Sequence, residues 1–274
     1  MGATASCSDS GKGVAKSIKL GCIIYTNSRK IRWLLARLIH VSCNHKDTKS
    51  TGNVMLRDKN DSIVISYIWL RRLIGGLGML LPLFCISGGK IFAGLSWQQS
   101  ISYYYYTNMR DFFVGLLFCV SMFLITYKGY EKIDTLITTA SGISGLCIAI
   151  FPCHFESDLD NFVGIFQIES HISNIIHLTF ASFFFLLLAI NSIFLFTLSD
   201  KSKTTFSKNK KFRNKIYVCC GAIILLSMAL VALLLLSLSE EMIKQYKIVL
   251  SFETIMLVAF GISWLIKGET LFTD

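Results

Sequence analysis

The chain has 274 residues, of which 53% are hydrophobic and only 16% are charged. A soluble domain typically carries about 25% charged residues, and the mean hydropathy is +0.57, so the composition excludes an ordinary soluble protein and indicates an integral membrane protein. The net charge is +10, and the nine cysteines are odd in number and include no CxxC pair, which argues against a disulfide framework or a zinc ribbon.

Residues 1–62 form a basic segment ahead of the first long apolar run. They contain 11 Lys and Arg against four Asp and Glu, and they carry no secretory signal. We expect a partly disordered cytoplasmic segment in which residues 30–39 form an interfacial helix on anionic lipid. The opening MGATAS matches the N-myristoylation pattern, and a plain disordered tail is the alternative. No base-reading motif accompanies the charge, so no nucleic-acid partner is expected.

Six apolar stretches are long enough to cross a bilayer, which takes about 20 apolar residues. They lie at residues 73–89, 112–127, 136–153, 171–198, 216–238 and 248–266, and the first can extend back to residue 63. The predicted fold class is therefore all-α: a polytopic transmembrane helical bundle of about six spans over residues 63–274.

The distribution of basic residues predicts the orientation of this bundle. With the N-terminus inside, 23 of the 27 Lys and Arg lie on the cytoplasmic side. The positive-inside rule then makes both termini cytoplasmic, in a plasma membrane or a bacterial inner membrane. The basic loop 201–215 either binds anionic lipid head groups or only satisfies this rule. Tyr127, Trp264 and the tyrosines at 103–106 are expected in interfacial belts.

Several ionisable residues lie on the predicted outer side of the spans. Such residues cost free energy inside a bilayer, so their presence indicates a functional site. His177 lies about 9 Å deeper than His171 at 1.5 Å per residue, and Glu253 enters the last span to a similar depth. Ser170, Asn174 and His177 follow one helical face. We therefore predict an outward-facing polar cavity that recognises or transports a small molecule or lipid. Its candidate ligand-binding residues are Arg110, Asp111, His154, Glu169, Asn174, His177 and Glu253.

Two alternatives remain open at this stage. A membrane-embedded lipid hydrolase would pair His177 with Asp111 or Glu253 for acid–base work, but the sequence has no GxSxG or HExxH motif, and no serine stands out as a nucleophile. A structural or partner-binding bundle would use the same polar residues as interhelical hydrogen bonds. A non-catalytic protein is favoured over the enzyme.

Ligand-type side chains also raise the question of a metal site. The candidates are His154, Asp158, Asp160 and His171. Six residues turn a helix by about 240°, so His171 and His177 do not share a face, and the i, i+4 pair of a helical zinc site is missing. We expect no metal and no other cofactor.

Small residues indicate how the helices pack. Gly75, Gly76 and Gly78 lie in the first span, and Ser141 and Gly145 lie four residues apart in the third. Small residues allow helix backbones to approach closely in membranes, so we expect a compact bundle and not a wide pore.

The run SISYYYYTNMRD at residues 100–111 resembles a feature of uncharacterised six-span membrane proteins, mainly bacterial. Phe151 and Pro152 at the end of the third span, and His171 or His177 near the start of the fourth, belong to the same pattern. The resemblance covers about residues 70–270. It implies the six-span fold and points to Arg110, Asp111 and the histidine, but it implies no reaction.

Overall fold

The computed structural model describes residues 53–129, 131–154, 162–198 and 208–270. The chain divides into two compact units, Met1–Asp58 and Lys59–Asp274, and the contacts reported below belong to the second. The interfacial helix predicted at 30–39, the lipidated or disordered tail and residues 201–207 of the predicted loop 201–215 lie outside the described residues, as do Asp158 and Asp160. Residues 208–215, predicted as loop, are helical.

The described chain is mostly helical, in agreement with the predicted all-α class. The helices are α1 (Asn53–Leu83), which continues through a π-helical turn (Phe84–Gly88) into α2 (Gly89–Ala93), then α3 (Arg110–Thr126), α4 (Lys132–Ile150), α5 (Ser170–Ile190) with a π-helical turn at its end (Asn191–Leu195), α6 (Lys208–Ser237), α7 (Glu240–Gln245) and α8 (Ile248–Lys267). A 3-10 turn (Ser102–Tyr106) precedes α3. A small antiparallel hairpin, β1 (Phe162–Val163) with β2 (Ile168–Glu169), precedes α5 and pairs Phe162 with Glu169.

Five helical segments of the described chain are long and apolar enough to cross a membrane: Ser66–Ala93, α4, Ser170–Leu195, α6 and α8. This number and length of apolar helices is typical of a multi-pass integral membrane protein. The remaining predicted span corresponds to α3, which has 17 residues and so lies at the short limit of roughly 17–25 residues for a span.

Glycines set the closest helix contacts in three helix pairs. A Cβ on Gly75 of α1 would lie 2.7 Å from the carbonyl oxygen of Gly261 in α8. A Cβ on Gly142 of α4 would lie 2.6 Å from that of Ser121 in α3, and one on Gly221 of α6 would lie 3.0 Å from the α5 backbone. The close packing predicted for Gly75 is confirmed, and so is that predicted for Gly145, where a Cβ would overlap the Ser121 hydroxyl of α3.

Gly76 behaves differently from its neighbours in the first span. A Cβ there would have no heavy atom within 4 Å, whereas one on Gly78 would contact the ring of Phe260. Gly76 therefore points away from the helix contacts that Gly75 and Gly78 make.

Two arginines of α1 bind the C-terminal end of α8. Arg72 donates from Nε to the carbonyl of Gly268 at 2.7 Å and from Nη2 to that of Glu269 at 3.1 Å. Arg71 donates to the carbonyl of Lys267 at 3.4 Å and to the Tyr127 hydroxyl at 3.1 Å. The last carbonyls of a helix have no partner within the helix, so these bonds both satisfy them and attach α8 to α1.

An aromatic cluster fills the core next to this attachment. Trp264 is 0% exposed and makes edge contacts with Tyr127 and Phe196, each with ring centroids 5.1 Å apart. The expectation that Trp264 and Tyr127 lie in an interfacial belt is wrong, because both are buried inside the bundle. Aromatic residues near a span end face the head groups only if the bundle leaves that face uncovered.

Substitution of Gly75 by Ala should destabilise the bundle, because the new methyl group would overlap the backbone of α8. Overpacking of this kind costs about 1–3 kcal/mol. The matched change Gly76→Ala should be neutral or slightly stabilising, since Ala exceeds Gly in helix propensity by about 1 kcal/mol. Thermal unfolding of both variants in the same detergent measures the difference, and equal melting temperatures would contradict the close α1–α8 contact.

Candidate functional site

We call the end of the bundle that carries the 3-10 turn the tyrosine end, and the end that carries Lys267 the lysine end. At the tyrosine end, His177 of α5 is 2% exposed. Its Nδ1 lies 2.7 Å from the carbonyl oxygen of Phe151, and its Nε2 lies 2.9 Å from the hydroxyl of Ser102. His177 therefore connects α5 both to the end of α4 and to the 3-10 turn.

Other residues in the first turns of α5 hold the same stretch after α4. The Ser173 hydroxyl donates to the carbonyl of Pro152 at 2.8 Å. The Asn174 side-chain oxygen accepts from the backbone N–H of His154 at 3.0 Å, and Nδ1 of His154 lies 2.9 Å from the Ser170 hydroxyl. The polar face predicted on this helix is thus real, and its described members bind the segment 151–154.

Glu253 of α8 performs a similar role for the segment ahead of the 3-10 turn. Its Oε2 accepts a hydrogen bond from the backbone N–H of Ile101 at 2.6 Å. One turn earlier, the backbone N–H of Leu250 donates to the carbonyl of Gln99 at 3.0 Å. The start of α8 therefore fixes the chain immediately before Ser102.

The tyrosines of the 3-10 turn are partly inserted into the protein and do not form a simple belt. Tyr104 is buried, and burial raises the pKa values of Tyr103 and Tyr104 above that of a free phenol. The Tyr106 hydroxyl donates to the carbonyl of Cys153 at 2.6 Å. This turn is a packed part of the tyrosine end.

The remaining predicted site residues lie at the surface. Arg110 is exposed, donates from Nε to the carbonyl of Tyr105 at 2.7 Å, and stacks over that ring at 4.7 Å. Asp111, Glu169 and His171 are exposed, and no hydrogen bond within the described ranges joins His177 to Asp111 or Glu253. Nor do three His, Cys, Asp or Glu side chains come together there as a metal site would require.

A second polar region, at the lysine end, was not predicted as a site. It is a small pocket with room for about one water molecule. Its lining residues come from the end of α3, the start of α4, the π-helical turn after α5 and the end of α8: Tyr127, Asp134, Thr138, Asn191, Leu195, Phe196 and Lys267.

Asn191 is the unusual member of this pocket. It is 0% exposed, and its amide nitrogen makes only a long contact of 3.5 Å to the Ser141 hydroxyl. Its side-chain oxygen has no hydrogen-bond partner among the described residues. Asn191 also begins a π-helical turn, and such turns inside helices often occur at functional sites.

One acidic and one basic residue line the pocket, and each lies at the end of a helix. Asp134 lies in the first turn of α4, where its Oδ2 accepts from the backbone N–H of Glu131 at 3.3 Å in a capping box. Lys267 lies in the last turn of α8 and donates to the carbonyl of Phe196 at 3.3 Å. An acidic residue in the first turn of a helix and a basic residue in the last turn are the types that those helix ends favour.

Sequence reasoning missed Asp134 and Lys267 because each stands at the edge of an apolar stretch, where charged residues normally meet water. It also missed Ser102, although that serine lies in the run 100–111, because its partner His177 is 75 residues away. The available signal was Asn191, an amide deep in a span on nearly the same face as His177.

No protein-family model, curated protein or solved structure matches the chain. The resemblance to six-span bacterial membrane proteins therefore stays a prediction.

Replacement of His177 by Ala should lower the thermal stability of the protein. The change leaves the Phe151 carbonyl and the Ser102 hydroxyl without their partner, and an orphaned buried polar group costs about 1–3 kcal/mol. His171→Ala is the matched control, since that side chain is exposed on the same helix. Thermal unfolding in detergent should give melting temperatures that differ by several degrees. A His177→Ala protein as stable as the control would contradict a stabilising role for the hydrogen bonds of His177.

Proposed function

We propose that the chain is a six-span integral membrane protein with both termini in the cytoplasm. The five long apolar helices support multiple spans, and α3 adds a sixth if its 17 residues suffice. The excess of Lys and Arg on one side supports the orientation, which puts the tyrosine end outside and the lysine end at the cytoplasmic surface of a plasma membrane or bacterial inner membrane.

A reporter that is active only in the cytoplasm tests this topology. Inserted in the loop 201–207, between α5 and α6, it should be active. The matched insertion after Leu238, between α6 and α7, should be inactive, because α6 is expected to bring the chain across the bilayer. Activity at both positions, or only at the second, would overturn the orientation.

Within this topology we propose that the protein binds a small ion, of about the size of a water molecule, in the pocket at the lysine end, in the manner of a carrier or receptor. The observation that carries the proposal is the unpaired side-chain oxygen of Asn191. A buried amide oxygen without a hydrogen-bond donor costs free energy, so a bound species that donates to it, or coordinates it, would recover that cost. Asp134 and Lys267 add a carboxyl group and an amino group to the lining of the pocket.

The outward-facing cavity predicted from the sequence has weaker support as a binding site. His177, Asn174 and Glu253 are hydrogen bonded to the backbone of their neighbours. A ligand would have to break those bonds in order to use the groups. Recognition at the tyrosine end would instead depend on exposed side chains such as Arg110 and Asp111.

Native mass spectrometry and a thermal-shift screen of small inorganic ions test the pocket. At least one species should raise the melting temperature of the wild-type protein, and Asn191→Leu, which keeps the side-chain size and removes the polar atoms, should abolish that shift. Thr179→Val, an exposed position on the same helix, should keep it. If no species shifts the wild-type protein and Asn191→Leu is simply more stable, the pocket is only a packing defect.

A further inference from the structure

The hydrogen bonds of His177 define which ring nitrogen carries the proton. A backbone carbonyl can only accept, so Nδ1, at 2.7 Å from the oxygen of Phe151, is the nitrogen that donates. Neutral imidazole then has its lone pair on Nε2. The Ser102 hydroxyl, 2.9 Å from Nε2, must donate its proton to that lone pair. This is the arrangement in which a histidine can act as general base towards a serine.

Ser102 is held in place from both sides. Glu253 binds the backbone N–H of the preceding residue, Ile101. The hydroxyl of Ser100 accepts from the backbone N–H of the following residue, Tyr103, at 3.2 Å. Glu253 and Ser100 are therefore positioning residues for Ser102, and a pre-positioned nucleophile next to its base needs little reorganisation to react.

We propose that Ser102 and His177 form a nucleophile–base pair that cleaves acyl esters of lipids at the tyrosine end. This activity is additional to binding at the lysine end and does not depend on it. It replaces the pairing of His177 with a carboxylate considered from the sequence.

The reaction balances with water as the only co-reactant. Ser102 Oγ attacks the ester carbonyl carbon while its proton passes to His177 Nε2. The other ring proton stays on Nδ1, hydrogen bonded to the carbonyl oxygen of Phe151. The tetrahedral intermediate expels the alcohol, which takes the proton from Nε2, and leaves an acyl-serine. Water then attacks the acyl group with Nε2 as base, which releases the carboxylic acid and restores the Ser102 hydroxyl.

The surroundings of the pair favour a lipid over a water-soluble ester. Ser102 is 9% exposed, so any ester and the water that follows it must reach the hydroxyl through a small opening. The chain that leads to it carries large, exposed apolar side chains at Ile91, Phe92 and Trp97. Such side chains suit an acyl chain at the bilayer interface, and a substrate that arrives from the bilayer brings its ester to about the depth of the head groups.

Labelling with a fluorophosphonate probe tests the pair directly. The full-length protein in phosphatidylcholine vesicles should form a covalent adduct that mass spectrometry maps to Ser102. Ser102→Ala should abolish it, and Ser96→Ala, at an exposed serine on the same segment, should leave the adduct at Ser102. His177→Gln should slow labelling by about 100-fold, as expected for loss of a general base, and His171→Ala should have no effect.

A second measurement uses phosphatidylcholine that carries a fluorescent acyl chain, in the same vesicles. Release of the fatty acid by the wild-type protein and its loss in Ser102→Ala would support the proposal, including in the case where His177→Gln fails to fold. A folded wild-type protein that neither labels at Ser102 nor cleaves this ester would overturn it. An adduct at another serine would overturn it as well.

Discussion

A helix end buried in a bundle leaves carbonyl and amide groups that water cannot reach, and in this protein side chains from other helices satisfy them. Arg71 and Arg72 of α1 bind the last carbonyls of α8, and His177 binds the carbonyl that follows α4. Inside a bilayer an unsatisfied backbone group costs several kcal/mol, so each bond fixes both a helix end and the neighbour that provides the donor. The packing of the bundle depends on these attachments together with the glycine contacts.

The two ends of the bundle differ in how completely their polar groups are paired. At the tyrosine end, both ring nitrogens of His177 and one carboxylate oxygen of Glu253 have short hydrogen bonds. At the lysine end, the side-chain oxygen of Asn191 and the indole N–H of Trp264 are buried and lack partners in the described chain. Fully paired polar networks make a structure rigid, whereas an unpaired group requires an explanation such as a bound water, an ion or a functional role. This contrast supports the proposal of ligand binding at the lysine end, where a polar group is unpaired, and of ester cleavage at the tyrosine end, where hydrogen bonds hold Ser102 and His177 in place.

Much of the fold was predictable from the sequence, because apolar length and the 3.6-residue period are local properties. Five of the six predicted stretches correspond to helices long enough to span, and the polar face with Ser170, Asn174 and His177 does point into the protein. The partners of that face were not predictable. Ser102 meets His177 from 75 residues away, and no local pattern encodes such a contact. The lysine-end pocket was missed for a different reason: Asp134 and Lys267 have the sequence positions of ordinary interfacial charges, and only the tertiary structure brings them to the buried Asn191.

The helix α5 carries residues of both ends, and this limits how the two can influence each other. His177 and Asn191 are 14 positions apart, about 21 Å along a helix at 1.5 Å per residue. The first turns of α5 are attached to the segment 151–154 by Ser170, Ser173, Asn174 and His177, so this part of the helix cannot shift without breaking several bonds at once. The π-helical turn at Asn191–Leu195 has no such attachment to the tyrosine end and already departs from the regular hydrogen-bond pattern. The turn is held to α6 instead, where the Ser192 hydroxyl donates to the carbonyl of Tyr217 at 2.8 Å, so the hydrogen bonds that fix Asn191 are separate from those that fix Ser102 and His177.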